Sequence, residues 1–225
     1  MVRYLRWYDK IVAQRPDAYI AITKTVQDRI KKYYSRESSV VYPPAGFAPK
    51  TQTTADEFFL VVSRLVPQKR VDIAVKAFNQ LRLPLKIVGI GSEEEKLKAL
   101  ANSNIEFLGY LSDEQLADYY SRCRAVIICG EEDFNIVAVE AQSFGKPVIA
   151  YKSGGVTESV IEGKTGWFFP QQTKGSLTKT LQNINPATID PQDCINNAKK
   201  FSDNIFRKSF KSYIEKTYED YVRNG

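Results

Sequence analysis

Residues 125–150 read AVIICGEEDFNIVAVEAQSFGKPVIA. The apolar run at 125–128 has the length and composition of a buried strand, and so does the run at 147–150. Between them, apolar residues from 136 onward predict a helix that ends at Gly145. A strand, a helix and a second strand in this order form a β-α-β unit with parallel strands. This stretch therefore predicts an α/β fold.

The same alternation continues on both sides of this stretch. Further strands are predicted at 58–63, 84–88, 105–108 and 166–169, and further helices at 70–81, 156–161 and 175–184. Two more helices are expected to open at Ser92 and Ser112, because Glu95 and Gln115 follow three residues later, as in a capping box. Regular alternation of apolar strands and helices predicts a doubly wound parallel sheet of the Rossmann-like kind.

The two ends of the chain do not follow this alternation. Near the start, a helix is predicted at 2–14, a strand at 18–22 and a second helix at 24–34. At the end, one long helix is predicted at 202–222. A Pro-Pro pair and nearby Gly46 predict a linker between the first segment and the sheet. The sequence therefore predicts four parts. An incomplete first domain spans 1–38, the linker 39–56, a Rossmann-like domain 57–200 and a C-terminal helix 201–225.

Composition narrows the classes of function. The 225 residues include 32 basic and 26 acidic ones, a net charge of +6, without the basic and aromatic stripe typical of nucleic-acid binding. The chain has no histidine, which excludes histidine as catalytic base or metal ligand. The three cysteines lack zinc spacing and are expected to be reduced thiols. With no long apolar run and no signal peptide, we expect a cytoplasmic protein, with peripheral contact to the inner face of a membrane as an alternative.

Two glutamates flank the start of the helix predicted from residue 136. Glu132 precedes this helix and Glu140 lies within it, eight residues later. Eight residues are slightly more than two helical turns, so both carboxylates are expected on one side of the helix. Carboxylates that face one cleft suit hydrogen bonding to a row of hydroxyls, such as the row that a sugar nucleotide carries.

Seven short motifs follow one another between about residue 40 and residue 167. They are 42–44 (YPP), 62–72 (VSRLVPQKRVD), 87–91 (IVGIG), 107–110 (FLGY), 132–140 (EDFNIVAVE), 145–150 (GKPVIA) and 154–158 (GGVTE). In their joint order and spacing, this part of the chain resembles the donor-binding domain of retaining GT-B glycosyltransferases of the GT4 type. The opening residues resemble the end of the family's acceptor domain, and the last helix resembles the segment that crosses back onto it. The resemblance implies the C-terminal half of a two-domain enzyme, with roughly one further domain before Met1.

The resemblance implies a catalytic role for Arg64, Lys69 and Glu132. The two cations would neutralise the diphosphate of the departing nucleotide, and Glu132 would contact hydroxyls of the donor sugar. Cations fixed at a leaving group stabilise the transition state more than the ground state. GT-B enzymes use cations and a helix end instead of a divalent ion. We therefore expect no metal site and no cofactor besides the donor, a UDP or GDP sugar.

The resemblance also implies nucleotide-binding roles for seven further residues. They are Gly109, Tyr110, Leu111, Phe134, Asn135, Ile136 and Glu140. The first three would hold the base through backbone groups, and Glu140 would accept hydrogen bonds from both ribose hydroxyls. The other three would bring the free amides of a helix N-terminus to the phosphates. Asn135 stands where the family has glycine, but asparagine tolerates positive φ, so the turn is expected to be kept.

The implied function is transfer of a hexose from a nucleoside-diphosphate sugar to a glycan or lipid-linked acceptor with retention, as in polysaccharide biosynthesis. The chain would supply the donor-binding half and would be inactive alone. Its expected partners are the donor, the acceptor and the missing N-terminal domain, but no nucleic acid. Without that domain, apolar residues and an open strand edge in 1–38 stay exposed, so this segment and the C-terminal helix are expected to pack on each other or on a second copy of the chain. We expect self-association through 1–38, or else a segment too mobile for its own strand to pair.

Three alternatives stay open at this point. A dinucleotide-binding domain is disfavoured, because Gly89 and Gly91 lack the third glycine of that motif and Glu94 takes its place. A non-catalytic module that binds a sugar nucleotide or a partner is a serious alternative, since GT-B enzymes work in a cleft between two domains. An epimerase or phosphorylase of the same fold is the third. The linker, the Arg64 and Lys69 pair, and the glutamate spacing favour a transferase over it.

Overall fold

A computed structural model describes residues 1–45 and 57–224 of the chain. The chain divides into two compact units, one formed by Met1–Pro44 with Phe201–Gly225 and one formed by Ala45–Lys200. The expected linker at 39–56 lies mostly outside the described residues. Within the described ranges, no helix combines the length and the apolar character needed to cross a bilayer.

The larger unit carries the predicted alternation of strands and helices. In chain order, the strands of the protein are β1 (Ile20–Ala21), β2 (Ser39–Val40), β3 (Phe59–Val62), β4 (Leu85–Val88), β5 (Ile105–Gly109), β6 (Val126–Ile128), β7 (Val148–Tyr151) and β8 (Gly166–Phe169). The helices are α1 (Val2–Val12), α2 (Lys24–Tyr34), α3 (Val71–Leu81), α4 (Glu94–Leu100), α5 (Asp113–Arg122), α6 (Ile136–Ser143), α7 (Val156–Ser159), α8 (Lys174–Asn183), α9 (Pro191–Ala198) and α10 (Asp203–Asn224).

Six parallel strands form the sheet of the larger unit, in the order β5-β4-β3-β6-β7-β8. Neighbouring side chains of β3 point to opposite faces, and both faces are buried. Phe59 and Val61 pack in the core that α3 and α8 cover, whereas Leu60 packs in the core that α5 and α6 cover. Burial on both faces explains why the strands read as continuous apolar runs. The predicted doubly wound, Rossmann-like sheet is confirmed.

The two predicted capping boxes have different outcomes. Ser112 caps α5 as predicted, since its Oγ accepts from the Gln115 amide at 3.4 Å and the Gln115 Oε1 accepts from the Ser112 amide at 3.0 Å. The box at Ser92 is wrong. Helix α4 has Glu93 as its N-cap, and no side chain in the described chain caps it. The Glu93 amide donates to the Leu65 carbonyl at 2.8 Å, so a turn anchored to the loop after β3 delays the helix.

The smaller unit joins the first and last segments of the chain. β1 pairs in parallel with β2, which lies within the expected linker and was not predicted as a strand. The alternative of a first segment too mobile for its strand to pair is therefore wrong. The Tyr213 hydroxyl on α10 donates to the Tyr19 carbonyl at 3.2 Å, so the terminal segments pack on each other. Large apolar side chains of both terminal helices remain exposed, among them Tyr4, Leu5, Trp7, Tyr8, Ile11, Ile205, Phe210, Ile214, Tyr218 and Tyr221.

Self-association through the first segment stays a prediction, and a point substitution is its sharpest test. Trp7 on α1 is 58% exposed. A glutamate at this position would place a charge on the exposed apolar side of α1, and burying that charge between two copies of the chain is costly. Trp7→Glu is therefore expected to shift the sedimentation equilibrium from oligomer towards monomer. Ile161→Glu is the control, since Ile161 is 40% exposed in the other unit. An unaltered chain that stays monomeric at high concentration would contradict the prediction.

Candidate functional site

The predicted phosphate-binding residues lie where the order of the sheet changes direction. From β3 the chain adds β4 and β5 on one side, whereas β6, β7 and β8 lie on the other. Loops that leave the carboxyl ends of two such neighbouring strands diverge and leave a crevice in which ligands bind. Arg64 and Lys69 lie on the loop after β3, and Glu132 lies on the loop after β6. The fold therefore places residues from distant parts of the sequence at one edge.

Lys69 and Glu132 meet across this crevice, although 63 positions separate them in the sequence. The Lys69 ammonium forms an ion pair with Oε1 of Glu132, and their side chains are only 19% and 25% exposed. A short helical turn, Pro67–Lys69, ends at the lysine. Gly130 permits the close approach of the two loops, because a Cβ there would lie 3.0 Å from the Lys69 Cα.

Arg64 lies on the same loop as Lys69 but in a different environment. Its side chain is exposed and forms no ion pair or side-chain hydrogen bond within the described ranges. The structure thus brings Lys69 and Glu132 together and leaves Arg64 extended into solvent. An exposed cation beside a paired one is available for a further anion.

The turn before α6 has the geometry predicted for Asn135. This residue has φ of 73° and is the N-cap of α6, with its Oδ1 accepting from the Ala138 amide at 3.0 Å. Positive φ and capping are both common for asparagine, which explains how it replaces glycine here. The Phe134 side chain is buried in the protein, whereas Ile136 is 47% exposed. Phe134 therefore offers only backbone groups to a ligand.

A pair of glycines holds the loop that carries Glu132. The Gly155 amide donates to the Glu132 carbonyl at 2.8 Å, and Glu132 forms a parallel bridge with Gly154. A Cβ on Gly155 would lie 2.1 Å from the Asp133 carbonyl oxygen. Only glycine fits such a backbone approach. The glycines belong to the 154–158 motif of the sequence, but their role in supporting this loop was not predicted.

Glu140 lies on α6 and is held by Tyr120, a residue that sequence reasoning missed. The Tyr120 hydroxyl donates to Oε2 of Glu140 at 2.8 Å. Burial raises the pKa of the Glu140 carboxyl, the hydrogen bond from Tyr120 opposes this shift, and the charge of Asp113 adds to it. Burial, followed by the Glu140 charge, raises the pKa of Tyr120 well above its usual value.

The predicted base-binding residues lie at the end of β5. Gly109 has φ of 67°, and its carbonyl accepts from the Gly89 amide at 2.7 Å. Tyr110 is 77% exposed and Leu111 is half-buried. The segment thus presents one exposed ring and a turn of backbone.

The cysteine thiols and the possible metal ligands outside this crevice are the other candidate reactive groups of the chain. Burial raises the pKa of the Cys123, Cys129 and Cys194 thiols to about 12, so all three stay protonated near neutral pH. All three are free thiols in the structure. Among residues 1–45 and 57–224, no cluster of three acidic or cysteine side chains could hold a metal ion.

Comparison with known proteins identifies the family of the chain. Residues 47–201 match the model of the family described as glycosyl transferases group 1. The chain is 27% identical over 221 residues to an uncharacterised glycosyltransferase of Methanocaldococcus jannaschii, an alignment that covers 96% of this chain and 63% of the relative. It is 28% identical over 199 residues to O-antigen chain mannosyltransferase C of Escherichia coli, covering 81% of this chain and 52% of the relative.

Solved structures share the fold. Sucrose-phosphate synthase from Thermosynechococcus elongatus superimposes with a TM-score of 0.85 at 21% identity, covering 96% of this chain and 62% of that structure. HepE from Anabaena, solved with UDP and glucose, gives a TM-score of 0.72 at 21% identity, covering 87% and 62%. The chain thus spans between 52% and 63% of the length of the two curated relatives. Because the family model covers residues 47–201, the predicted resemblance is confirmed, and the chain belongs to the group 1 glycosyltransferases.

Proposed function

We propose that this chain is the donor-binding half of a hexosyltransferase that transfers a sugar from a nucleoside-diphosphate sugar to a glycan or lipid-linked acceptor with retention. One observation carries the proposal. A cation and a carboxylate, Lys69 and Glu132, meet where the strand order of the sheet changes direction, between β3 and β6. The α6 N-terminus, capped by Asn135, follows on the same loop as Glu132. A diphosphate and a sugar need these two kinds of group side by side.

Lys69 and the start of α6 are suited to the leaving group. When the glycosidic bond breaks, its electron pair stays on the diphosphate oxygen, which gains negative charge. An ammonium and oriented backbone amides in a shielded crevice stabilise that charge more than the ground state. Arg64, which is exposed on the same loop, adds a second cation to the phosphates. No divalent ion enters this proposal.

Glu132 and Glu140 divide the recognition of hydroxyl groups. In the structure, Glu132 forms an ion pair with Lys69. A bound diphosphate would also contact the Lys69 ammonium and weaken its pairing with Glu132. The Glu132 carboxylate could then accept hydrogen bonds from hydroxyls of the donor sugar. Glu140, further along α6, accepts from the ribose hydroxyls, and residues 109–111 contact the base. These roles need no cofactor other than the UDP or GDP donor itself.

The acceptor hydroxyl, in this proposal, attacks the anomeric carbon on the face from which the nucleotide leaves. The hydroxyl proton passes to the departing diphosphate oxygen. The buried thiols of Cys123 and Cys129, whose pKa burial raises to about 12, are unsuited to act as nucleophiles. Two similarities support the substrates: the Escherichia coli relative is named an O-antigen chain mannosyltransferase, and the Anabaena neighbour was solved in complex with UDP and glucose.

The acceptor site is proposed to lie on a preceding domain, of which residues 1–38 would be the end and α10 the returning segment. Catalysis between two domains means that this chain alone is expected to bind the donor but not to transfer sugar. A cytoplasmic enzyme, with peripheral contact at the inner face of a membrane as the alternative, suits a lipid-linked acceptor. Turnover by the isolated chain would contradict the assignment as half an enzyme.

Calorimetric titration of this chain with UDP, GDP and ADP tests the proposed function and identifies the base. We expect one of the three to bind with a clear preference, and its sugar conjugate to bind to the same site. The Lys69→Ala variant serves as the control for binding at the proposed crevice. If none of the nucleotides or their sugar conjugates binds the unaltered chain, the proposed function is wrong and a partner-binding module is favoured.

The division of roles between the two glutamates makes a separate prediction. Glu140→Gln is expected to weaken binding of the free nucleoside diphosphate by about 1–2 kcal/mol, because a neutral amide accepts less strongly from the ribose. Glu132→Gln is expected to change that affinity little and to weaken the sugar conjugate. Calorimetry with both ligands measures the difference. Equal losses for the free diphosphate in the two variants would contradict this division.

A further inference from the structure

Tyr120 lies in the core of the larger unit with only its hydroxyl directed at the candidate site. It is 0% exposed, and its ring stacks on Phe144 at a centroid distance of 5.5 Å and an interplanar angle of 20°. Phe144 is the C-cap of α6, the helix that carries Glu140. The position of the hydroxyl is therefore set by core packing before any ligand arrives.

The hydroxyl of Tyr120 is a permanent hydrogen-bond donor. Its pKa lies well above the usual value, because the ring is buried and the Glu140 charge is close. A phenol that stays protonated can only donate its proton to the carboxylate oxygen, which is what the 2.8 Å contact with Oε2 shows. Within the described chain, Tyr120 and Asp113 are the titratable groups that act on the Glu140 carboxyl.

One oxygen of the Glu140 carboxylate is thus fixed, and the side chain is held in one orientation. The second oxygen, Oε1, retains its lone pairs and lies on a half-buried side chain. A ribose offers two adjacent hydroxyls as donors, and a preorganised acceptor loses less conformational entropy on binding them. An unfixed glutamate would sample several rotamers.

We propose that Tyr120 is a positioning residue for nucleoside recognition, which holds Oε2 of Glu140 and thereby presents Oε1 to the ribose hydroxyls. The inference rests on the proposed function, because it takes Glu140 as the acceptor for the ribose. The competing interpretation is that Glu140 merely satisfies a buried phenol. That role would support the stability of the fold without affecting ribose recognition.

The test uses four variants of the full chain: Tyr120→Phe, Glu140→Gln, the double variant that combines these two, and Tyr119→Phe as the matched control. Tyr119 is the neighbouring tyrosine on α5, and its ring contacts Phe58. Carbon-13 NMR of labelled glutamate follows the Glu140 carboxyl during a pH titration without ligand. Calorimetry measures affinity for the preferred nucleoside diphosphate and for its 2′,3′-dideoxy analogue, each at one fixed pH.

In Tyr120→Phe, the pKa of Glu140 is expected to rise, because the hydrogen bond that lowers it is gone. Affinity for the nucleoside diphosphate is expected to fall roughly three- to tenfold, the range of one hydrogen bond. The loss should disappear for the dideoxy analogue and in the Glu140→Gln background, since the effect acts through one carboxylate. Tyr119→Phe should change neither the pKa nor the affinity.

Two results would overturn the inference alone. One is an unchanged affinity in Tyr120→Phe while Glu140→Gln weakens binding. The other is a loss of equal size for the dideoxy analogue, which would assign the effect to general loosening of α5 and α6. By contrast, if no nucleoside diphosphate binds the unaltered chain, the proposed function fails and the inference fails with it, so the two failures are distinguishable.

Discussion

Replacing Lys69 by alanine is expected to weaken nucleoside-diphosphate binding by about 1–3 kcal/mol, or roughly five- to 150-fold. The lysine is 19% exposed, so its contact with phosphate would be shielded from water and strong. Its removal also leaves the Glu132 carboxylate unopposed beside the phosphates. Calorimetric titration with the preferred nucleotide measures the loss.

The matched control for this experiment is Lys76→Ala. Lys76 is a lysine of α3 that pairs with Asp72 at 2.9 Å, and it is not part of the candidate site. Arg64→Ala is expected to have a smaller effect than Lys69→Ala, because the arginine is exposed and screened by water. Adding Glu132→Gln to Lys69→Ala is expected to recover part of the affinity. Unchanged binding in both Lys69→Ala and Arg64→Ala would show that the phosphates lie elsewhere.

Gly155→Ala is expected to damage the fold and the site together. The added Cβ would lie 2.1 Å from the Asp133 carbonyl oxygen and 2.7 Å from the Phe134 Cα, and backbone atoms cannot move aside as a flexible side chain does. We expect a loss of about 1–3 kcal/mol in the free energy of unfolding, the usual cost of overpacking. Displacement of the Glu132 loop should also weaken binding of the sugar conjugate.

Urea unfolding and calorimetry measure the two effects of Gly155→Ala, and Gly175→Ala is the matched control. Gly175 lies near the start of α8, and a Cβ there would meet no atom within 4 Å. Alanine favours a helix by up to about 1 kcal/mol over glycine, so the control is expected to be neutral or stabilising. If both variants unfold at the same urea concentration, the close approach at Gly155 does not constrain the loop.

The fold was predictable because its signals are local. Buried parallel strands are apolar along their whole length, and the helices between them carry apolar residues at helical spacing. The cap at Ser112 was predicted from four consecutive residues that interact with each other. The positive φ of Asn135 was also predictable, since it depends on the side chain of one residue.

The parts that could not be predicted depend on contacts between distant residues. Ser92 has the same local pattern as Ser112, but the Leu65 carbonyl takes the Glu93 amide and shifts the start of α4. The pairing of β1 with β2 follows from tertiary packing of two strands of two residues each. No pattern in the sequence indicates that Tyr120, rather than Tyr119, lies against Glu140.

The same holds for the candidate site. The sequence, through its resemblance to a family, predicted that Lys69 and Glu132 belong to one site, but it did not show that they pair with each other. That pairing depends on the register of β3 against β6 and on the absence of a side chain at Gly130. The loops that carry the candidate residues were thus predictable from the sequence, whereas the mutual geometry of the residues required the folded sheet.

Chemical labelling of the three buried thiols can report local unfolding of the protein. Cys129 directly follows β6, Cys123 ends α5, and Cys194 lies within α9, so each belongs to a different region of the larger unit. A modifying reagent reaches such a thiol only when its surroundings transiently unfold. The three labelling rates would therefore measure how often each region unfolds locally. A slower rate at Cys129 with nucleotide present would show that binding suppresses local unfolding next to the candidate site.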